Sequence, residues 1–118
     1  MDARDLRERT LDFGLRIVRL CQHLEHHNVA AVLGKQLLRC GTSVGANYRA
    51  ASLAKSPADF VSKIKICEEE ADEAIYWLEL LIRAGEVEAA RVTPLQQEAA
   101  ELRNIMSASA ITARKNVK

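Results

Sequence analysis

Leu37-Leu38-Arg39-Cys40-Gly41-Thr42-Ser43-Val44-Gly45-Ala46-Asn47-Tyr48 has the three-and-four spacing of an amphipathic helix, yet it carries two glycines and an asparagine. A glycine inside a helix costs roughly 1 kcal/mol relative to alanine, so a pair one turn apart signals that something approaches this backbone closely. At 100° per residue, Gly34, Gly41 and Gly45 fall in one narrow sector beside the apolar stripe and form a groove. Two occupants suit such a groove: a neighbouring helix or side chain, or a phosphate. The phosphate reading is the weaker, because the stretch lacks the GxxxxGK[ST] pattern and a preceding strand. Asn47 falls on the stripe itself. A polar residue in a helical seam fixes register or orientation at some expense in stability; ligand contact and partial exposure are the alternatives.

The same periodicity extends outward from this segment. Leu6, Thr10, Phe13, Ile17, Leu20 and Leu24 form one stripe, and Ala30, Leu33, Leu37, Cys40, Val44, Asn47 and Ala51 a second. Phe60, Ile64, Cys67, Ala71, Ala74, Leu78 and Leu81 give a third, and Leu95, Ala99, Leu102, Met106, Ser109 and Ala113 a fourth. Ser56-Pro57-Ala58-Asp59 offers an N-cap followed by proline at the first helical position, and Thr93-Pro94-Leu95-Gln96 repeats the device. Asn28 is placed as the cap of the second helix and Gly85 as the C-terminal cap of the third. The expected helices cover residues 4–25, 29–53, 57–84 and 94–115 of one domain spanning 1–118. With connections this short, the fold class is all-α, an antiparallel up-down four-helix bundle.

Lys and Arg number 17 against 16 Asp and Glu, so net charge alone names no partner. The distribution is uneven: residues 1–55 carry +4, residues 56–90 carry −6 and residues 91–118 carry +3. The opening Met1-Asp2-Ala3-Arg4-Asp5-Leu6-Arg7-Glu8-Arg9 is charged throughout, and no apolar run approaches the ~18 residues of a membrane span. The expectation is a cytoplasmic protein without a membrane partner. Cys21, Cys40 and Cys67 are odd in number and set among apolar residues, which reads as reduced interior thiols and not as a disulfide or CxxC metal framework.

Two helices carry a second apolar face. Leu11, Leu15 and Val18 lie away from the first stripe, and Ile66, Tyr76, Trp77 and Leu80 lie roughly opposite the third. A small bundle leaving both uncovered exposes a large patch, so Leu11, Leu15, Ile66, Tyr76, Trp77 and Leu80 are interface candidates in a homo-oligomer. A monomer whose wide core absorbs them by helix tilt is the competing reading. Lys35, Arg39 and Arg49 project from the second helix, and Arg9, Arg16, Arg19 and His23 cluster on the first. Together they describe a basic surface suited to phosphate backbones, unless Glu68, Glu69, Glu70, Asp72, Glu73 and Glu79 of the third helix pair with them.

No catalytic constellation stands out. His23, His26 and His27 have a spacing that suits a metal, but there is no HExxH and no Glu-x-x-His in the acidic run, so a solvated helix end is the favoured reading. No serine sits in GxSxG. The expectation is a non-enzyme with no cofactor, metal or small-molecule substrate.

Arg9-Thr10-Leu11-Asp12-Phe13-Gly14-Leu15-Arg16-Ile17, residues 33–51 around Gly41-Thr42-Ser43-Val44-Gly45-Ala46-Asn47-Tyr48, and Glu70-Ala71-Asp72-Glu73-Ala74-Ile75-Tyr76-Trp77-Leu78-Glu79-Leu80-Leu81 closely resemble the bundle proteins encoded in intervening sequences of bacterial 23S ribosomal RNA genes. The resemblance covers nearly the whole chain. Cys40 stands where the family usually has Ser, and Ala50 where it often has Glu. What the resemblance implies is a four-helix bundle assembling as a homopentamer, with no settled biochemical activity. The chain is also similar to the accessory bundle protein of diversity-generating retroelements, a pentameric barrel that binds nucleic acid through basic residues. That likeness implies RNA or DNA binding, with Arg16, Arg19, Lys35, Arg39 and Arg49 as candidate contacts. A protein-interaction scaffold without a nucleic-acid role is the alternative.

Overall fold

Ser56 shows how the sequence sets a helix boundary: its hydroxyl accepts a 3.1 Å hydrogen bond from the Asp59 N–H, and Pro57 follows at the first helical position. In the computed structural model, which describes residues 3–117, helix α1 spans Ala3–Leu24, α2 Asn28–Ser52, α3 Pro57–Arg83 and α4 Ala89–Arg114. Met1 and Asp2 of the charged opening, and Lys118, lie outside the described residues. The connections are three, four and five residues long, which forces successive helices antiparallel. The chain is an all-α four-helix bundle measuring 49 × 21 × 19 Å. Each helix packs along its sequence neighbour, whereas α1 and α4 meet only sparsely, so the seam between first and last helix is the loose one.

Gly85 ends α3 as expected. Its φ of +75° is open to glycine, and the Glu86 and Gly85 N–H groups reach the Leu81 and Ile82 carbonyls, both at 3.0 Å. Two other boundaries differ from the sequence reading. His27, without a side-chain cap bond, precedes α2, and Asn28 is its first residue. Helix α4 begins at Ala89, not at Pro94. Pro94 occupies an exposed position in the second turn, where its missing N–H leaves one carbonyl bond unmade. The extra turn places Val92 in the core at 3 % exposure and packs Val87 against it, which outweighs that lost bond.

The core follows the four expected stripes, with Phe13, Ile17, Leu37, Ile64, Leu78, Leu81, Leu102 and Met106 fully enclosed, except that toward the end of α4 Ala110 is buried in place of the expected Ser109 and Ala113, which are only half-buried. Thr10 is buried among them because its hydroxyl donates to the Leu6 carbonyl at 2.8 Å, leaving no orphaned polar group. Cys40 and Cys67 are buried and Cys21 is half-buried. Burial pushes the Cys21 thiol up to about 11 and those of Cys40 and Cys67 to about 12, so all three are poor nucleophiles near neutrality.

The glycine groove of α2 is filled by α1. A Cβ on Gly41 would lie 2.8 Å from Ile17 Cγ1, and one on Gly45 would lie 3.2 Å from the Thr10 carbonyl oxygen. These glycines let two backbones approach, and no phosphate has room there. Asn47 does not hold the seam: it is half-buried, and its amide donates to Ser43 of its own helix, to the carbonyl at 2.8 Å and to the hydroxyl at 3.0 Å. Tyr48, at 4 % exposure, takes the interior position because the stripe drifts by one residue around a straight helix.

Candidate assembly and nucleic-acid surfaces

The outer side of the α1–α2 pair is a groove of about 850 Å³ whose apolar centre is Leu11, Leu15 and Val18, bordered by Arg4, Arg7 and Arg49 and by one acid, Glu8. Leu11 is 66 % exposed and Leu15 44 %, so tilt of the helices has not drawn them into the core. Gly45 brings the two helices together, and Gly14 and Gly45 both lie in the lining of this groove, where the missing side chains keep its floor low. Val18 also borders a second hollow toward the other end, where Leu38 and Lys35 lie with Glu25. The two hollows meet at Val18 and have an apolar middle; one end carries three arginines with Glu8, and the other carries Lys35 with Glu25.

On α3, the positions 66, 69, 73, 76 and 80 recur at helical spacing on the side away from the core, and Trp77 lies beside them at the edge, half-buried and packed against the core. Ile66 and Tyr76 are exposed, and Trp77 and Leu80 are half-buried. Tyr76 and Trp77 meet edge to face, their centroids 5.0 Å apart at 79°. The Trp77 indole N–H donates to Glu73 Oε2 at 2.9 Å, and Arg39 of α2 reaches across to Glu73 and, at 3.2 Å, to Glu70. Hydrogen bonds from Trp77 and then Arg39 hold the Glu73 carboxyl below the usual carboxylate range. This face therefore combines aromatic bulk with fixed negative charge.

The five basic residues expected to form one surface are dispersed. Arg39 is engaged by the acids of α3. Arg49 and Lys35 border the two halves of the α1–α2 groove. Arg16 lies on the opposite flank of α1, lining a cavity of about 440 Å³ toward α4 together with His23, His27 and Arg91. Arg19 is exposed and, like Arg16, Lys35 and Arg49, has no ion pair among the described residues. Arg9 is not part of a free cluster either: it spans the loose seam to Glu98 at 2.7 Å and Glu101 at 3.1 Å. That hydrogen bond, with the Arg9 charge and a smaller contribution from Arg16, lowers the Glu98 carboxyl. The sequence reading missed Arg4, Arg7 and Arg91. Their signal was present in the helical phase of Arg4 and Arg7 beside Leu11, but the place of Arg91 depends on the early start of α4.

The three histidines separate: His23 and His27 line the cavity, while His26 lies 3.2 Å from Glu25 in the exposed turn. Among the described residues no three His, Cys, Asp or Glu side chains stand together as a metal set, and no helix is long and apolar enough to cross a membrane.

These features define a four-helix bundle with two unlike outer faces, one apolar and basic, the other aromatic and acidic. The chain belongs to the 23S rRNA-intervening sequence protein family, whose model matches residues 4–108. It is similar to a protein of unknown function from the S23 ribosomal protein family of Bacteroides thetaiotaomicron, known from a crystal structure. The two are 37 % identical over 89 % of this chain and 97 % of that one, with a TM-score of 0.84. No curated protein matches the chain.

Proposed function

We propose that the chain is a non-enzymatic bundle that self-assembles head to tail, the α1–α2 groove of one copy receiving the outer face of α3 of the next, and that the assembly binds RNA or DNA electrostatically. The observation that carries the reading is the complementarity of those faces. Leu11, Leu15 and Val18 flanked by Arg4, Arg7, Arg49 and Lys35, which outnumber the acids Glu8 and Glu25 there, match Ile66, Tyr76, Trp77 and Leu80 flanked by Glu69 and Glu73. Two different patches meeting in this way close into a ring when the rotation between copies permits, which agrees with the pentamer implied by the family resemblance. Docking uses Lys35 and Arg49 and leaves Arg16 and Arg19 outward for phosphate backbones.

Mobility shifts with structured RNA and with duplex DNA at two salt concentrations test the nucleic-acid half. Binding that weakens steeply with salt supports it, and absence of binding even at low salt refutes it. A scaffold without nucleic acid is the second reading, favoured by the engagement of Arg39 with Glu70 and Glu73, which shows α3 acids consuming basic side chains. Reversing the charge of Arg16 and Arg19 separates the two. A nucleic-acid binder stays assembled and loses affinity, whereas a scaffold that uses these cations between copies comes apart.

A further inference from the structure

We infer that the cavity between α1 and the start of α4 is a binding site for a phosphate monoester. Arg16, His23, His27 and Arg91 reach it from three parts of the chain, and Leu20 and Val87 belong to its apolar lining. Neither the Arg16 nor the Arg91 side chain makes a hydrogen bond or ion pair among the described residues, although the Arg91 backbone N–H donates to the Glu88 carbonyl at 3.1 Å. Arg16 is also half-buried. A guanidinium partly withdrawn from water without a partner is an unfavourable arrangement that an anion relieves by charge-assisted, forked hydrogen bonds. Two guanidinium groups and two imidazoles present more donors than the two oxygens of a carboxylate engage, and they suit the three terminal oxygens of a phosphate monoester. The first turn of α4 borders the same cavity, and its Glu88 cap makes no side-chain bond to the N–H groups there. The apolar lining leaves room for the organic part of the ester.

Glu86 and Glu88 share the cavity and oppose an anion, but neither lies within ion-pair distance of Arg16 or Arg91. Glu98, which senses the charge of Arg16, is committed to Arg9. The two arginines and the two rim carboxylates balance in formal charge, so anion binding rests on the unpaired guanidinium donors and becomes stronger when the rim carboxylates are neutralised. The phosphate has two sources of the same chemistry, a free mononucleotide or the terminal phosphate of a nucleic-acid strand; the second rests on the proposed nucleic-acid function.

Calorimetric titration of the full chain with adenosine 5′-monophosphate and with adenosine tests the site, alongside an RNA oligonucleotide with and without a 5′-phosphate. The expected result is binding of the monophosphate, with adenosine at least about tenfold weaker. Arg16→Ala and Arg91→Ala each lose about tenfold, Arg19→Ala loses nothing for the monophosphate, and the double substitution Glu86→Gln/Glu88→Gln tightens binding several-fold. Equal affinity for adenosine and its monophosphate overturns the site, as does failure of Glu86→Gln/Glu88→Gln to tighten binding. Monophosphate binding without any oligonucleotide binding supports the site and refutes the nucleic-acid function. Oligonucleotide binding indifferent to the 5′-phosphate, with Arg16→Ala no worse than Arg19→Ala and no monophosphate binding, overturns the site and leaves that function standing.

Discussion

Gly41 and Ile17 are packed so closely that any side chain on the glycine collides: its Cβ would lie 2.8 Å from Ile17 Cγ1, 2.9 Å from Cγ2 and 3.2 Å from Cβ. Ile17 is branched and fully enclosed, so it cannot swing aside. Gly41→Ala is expected to destabilise by about 1–3 kcal/mol in urea unfolding despite alanine's better helix propensity. Gly14→Ala is the control. Its Cβ would meet only Thr42 Cα at 3.9 Å, so this substitution should leave stability unchanged or raise it by up to about 1 kcal/mol.

Pro94 sits inside α4, on its exposed side. Restoring an N–H there lets the helix close the bond that proline forbids. Pro94→Ala should stabilise the chain by about 1 kcal/mol, a fraction of the ~3 kcal/mol that proline costs in a helix centre. A loss of stability on thermal unfolding would show that the proline shapes the α3–α4 junction instead.

Arg9 and Glu98 are the main polar link across the sparsely packed α1–α4 seam. Because the native Glu98 carboxyl is lowered from its ordinary value of 4.5, the pairing stabilises fully above that pH and is lost as pH falls through the lowered native value. Glu98→Gln should destabilise by about 1 kcal/mol at neutral pH, and its difference from the parent should vanish in acid. Urea midpoints measured across the acid range check both the size and the direction.

Arg39 is held by Glu70 and Glu73 within its own chain. Removing it should change nucleic-acid affinity far less than removing Arg16 and Arg19 together, as read by mobility shift at low salt. Equal losses would mean that the α3 acids release Arg39 when nucleic acid arrives.

The apolar stripes were legible because burial follows the helical period directly, and Ser56-Pro57 and Gly85 act through local geometry that sequence specifies. Pro94 misled because proline at a helix start and proline in an exposed second turn look alike locally; only the burial of Val92 separates them. Asn47 misled by a small phase drift that gives its place to Tyr48. The basic residues were recognisable as outward-facing, but whether two outward faces merge depends on the rotation of each helix about its neighbour. That is why Arg16 and Arg49, both outward, lie on opposite flanks of α1.

Head-to-tail docking of the groove on the α3 face is tested most directly by mixing two defective variants in sedimentation analysis. Leu11→Glu/Leu15→Glu disables the groove and keeps the α3 face, and Tyr76→Ala/Trp77→Ala disables that face and keeps the groove. The parent chain should sediment as a closed oligomer, each variant alone as a monomer, and the equimolar mixture as a heterodimer with one intact interface and nothing larger. A monomeric parent, or variants that stay monomeric when mixed, would contradict the proposed pairing of the two faces.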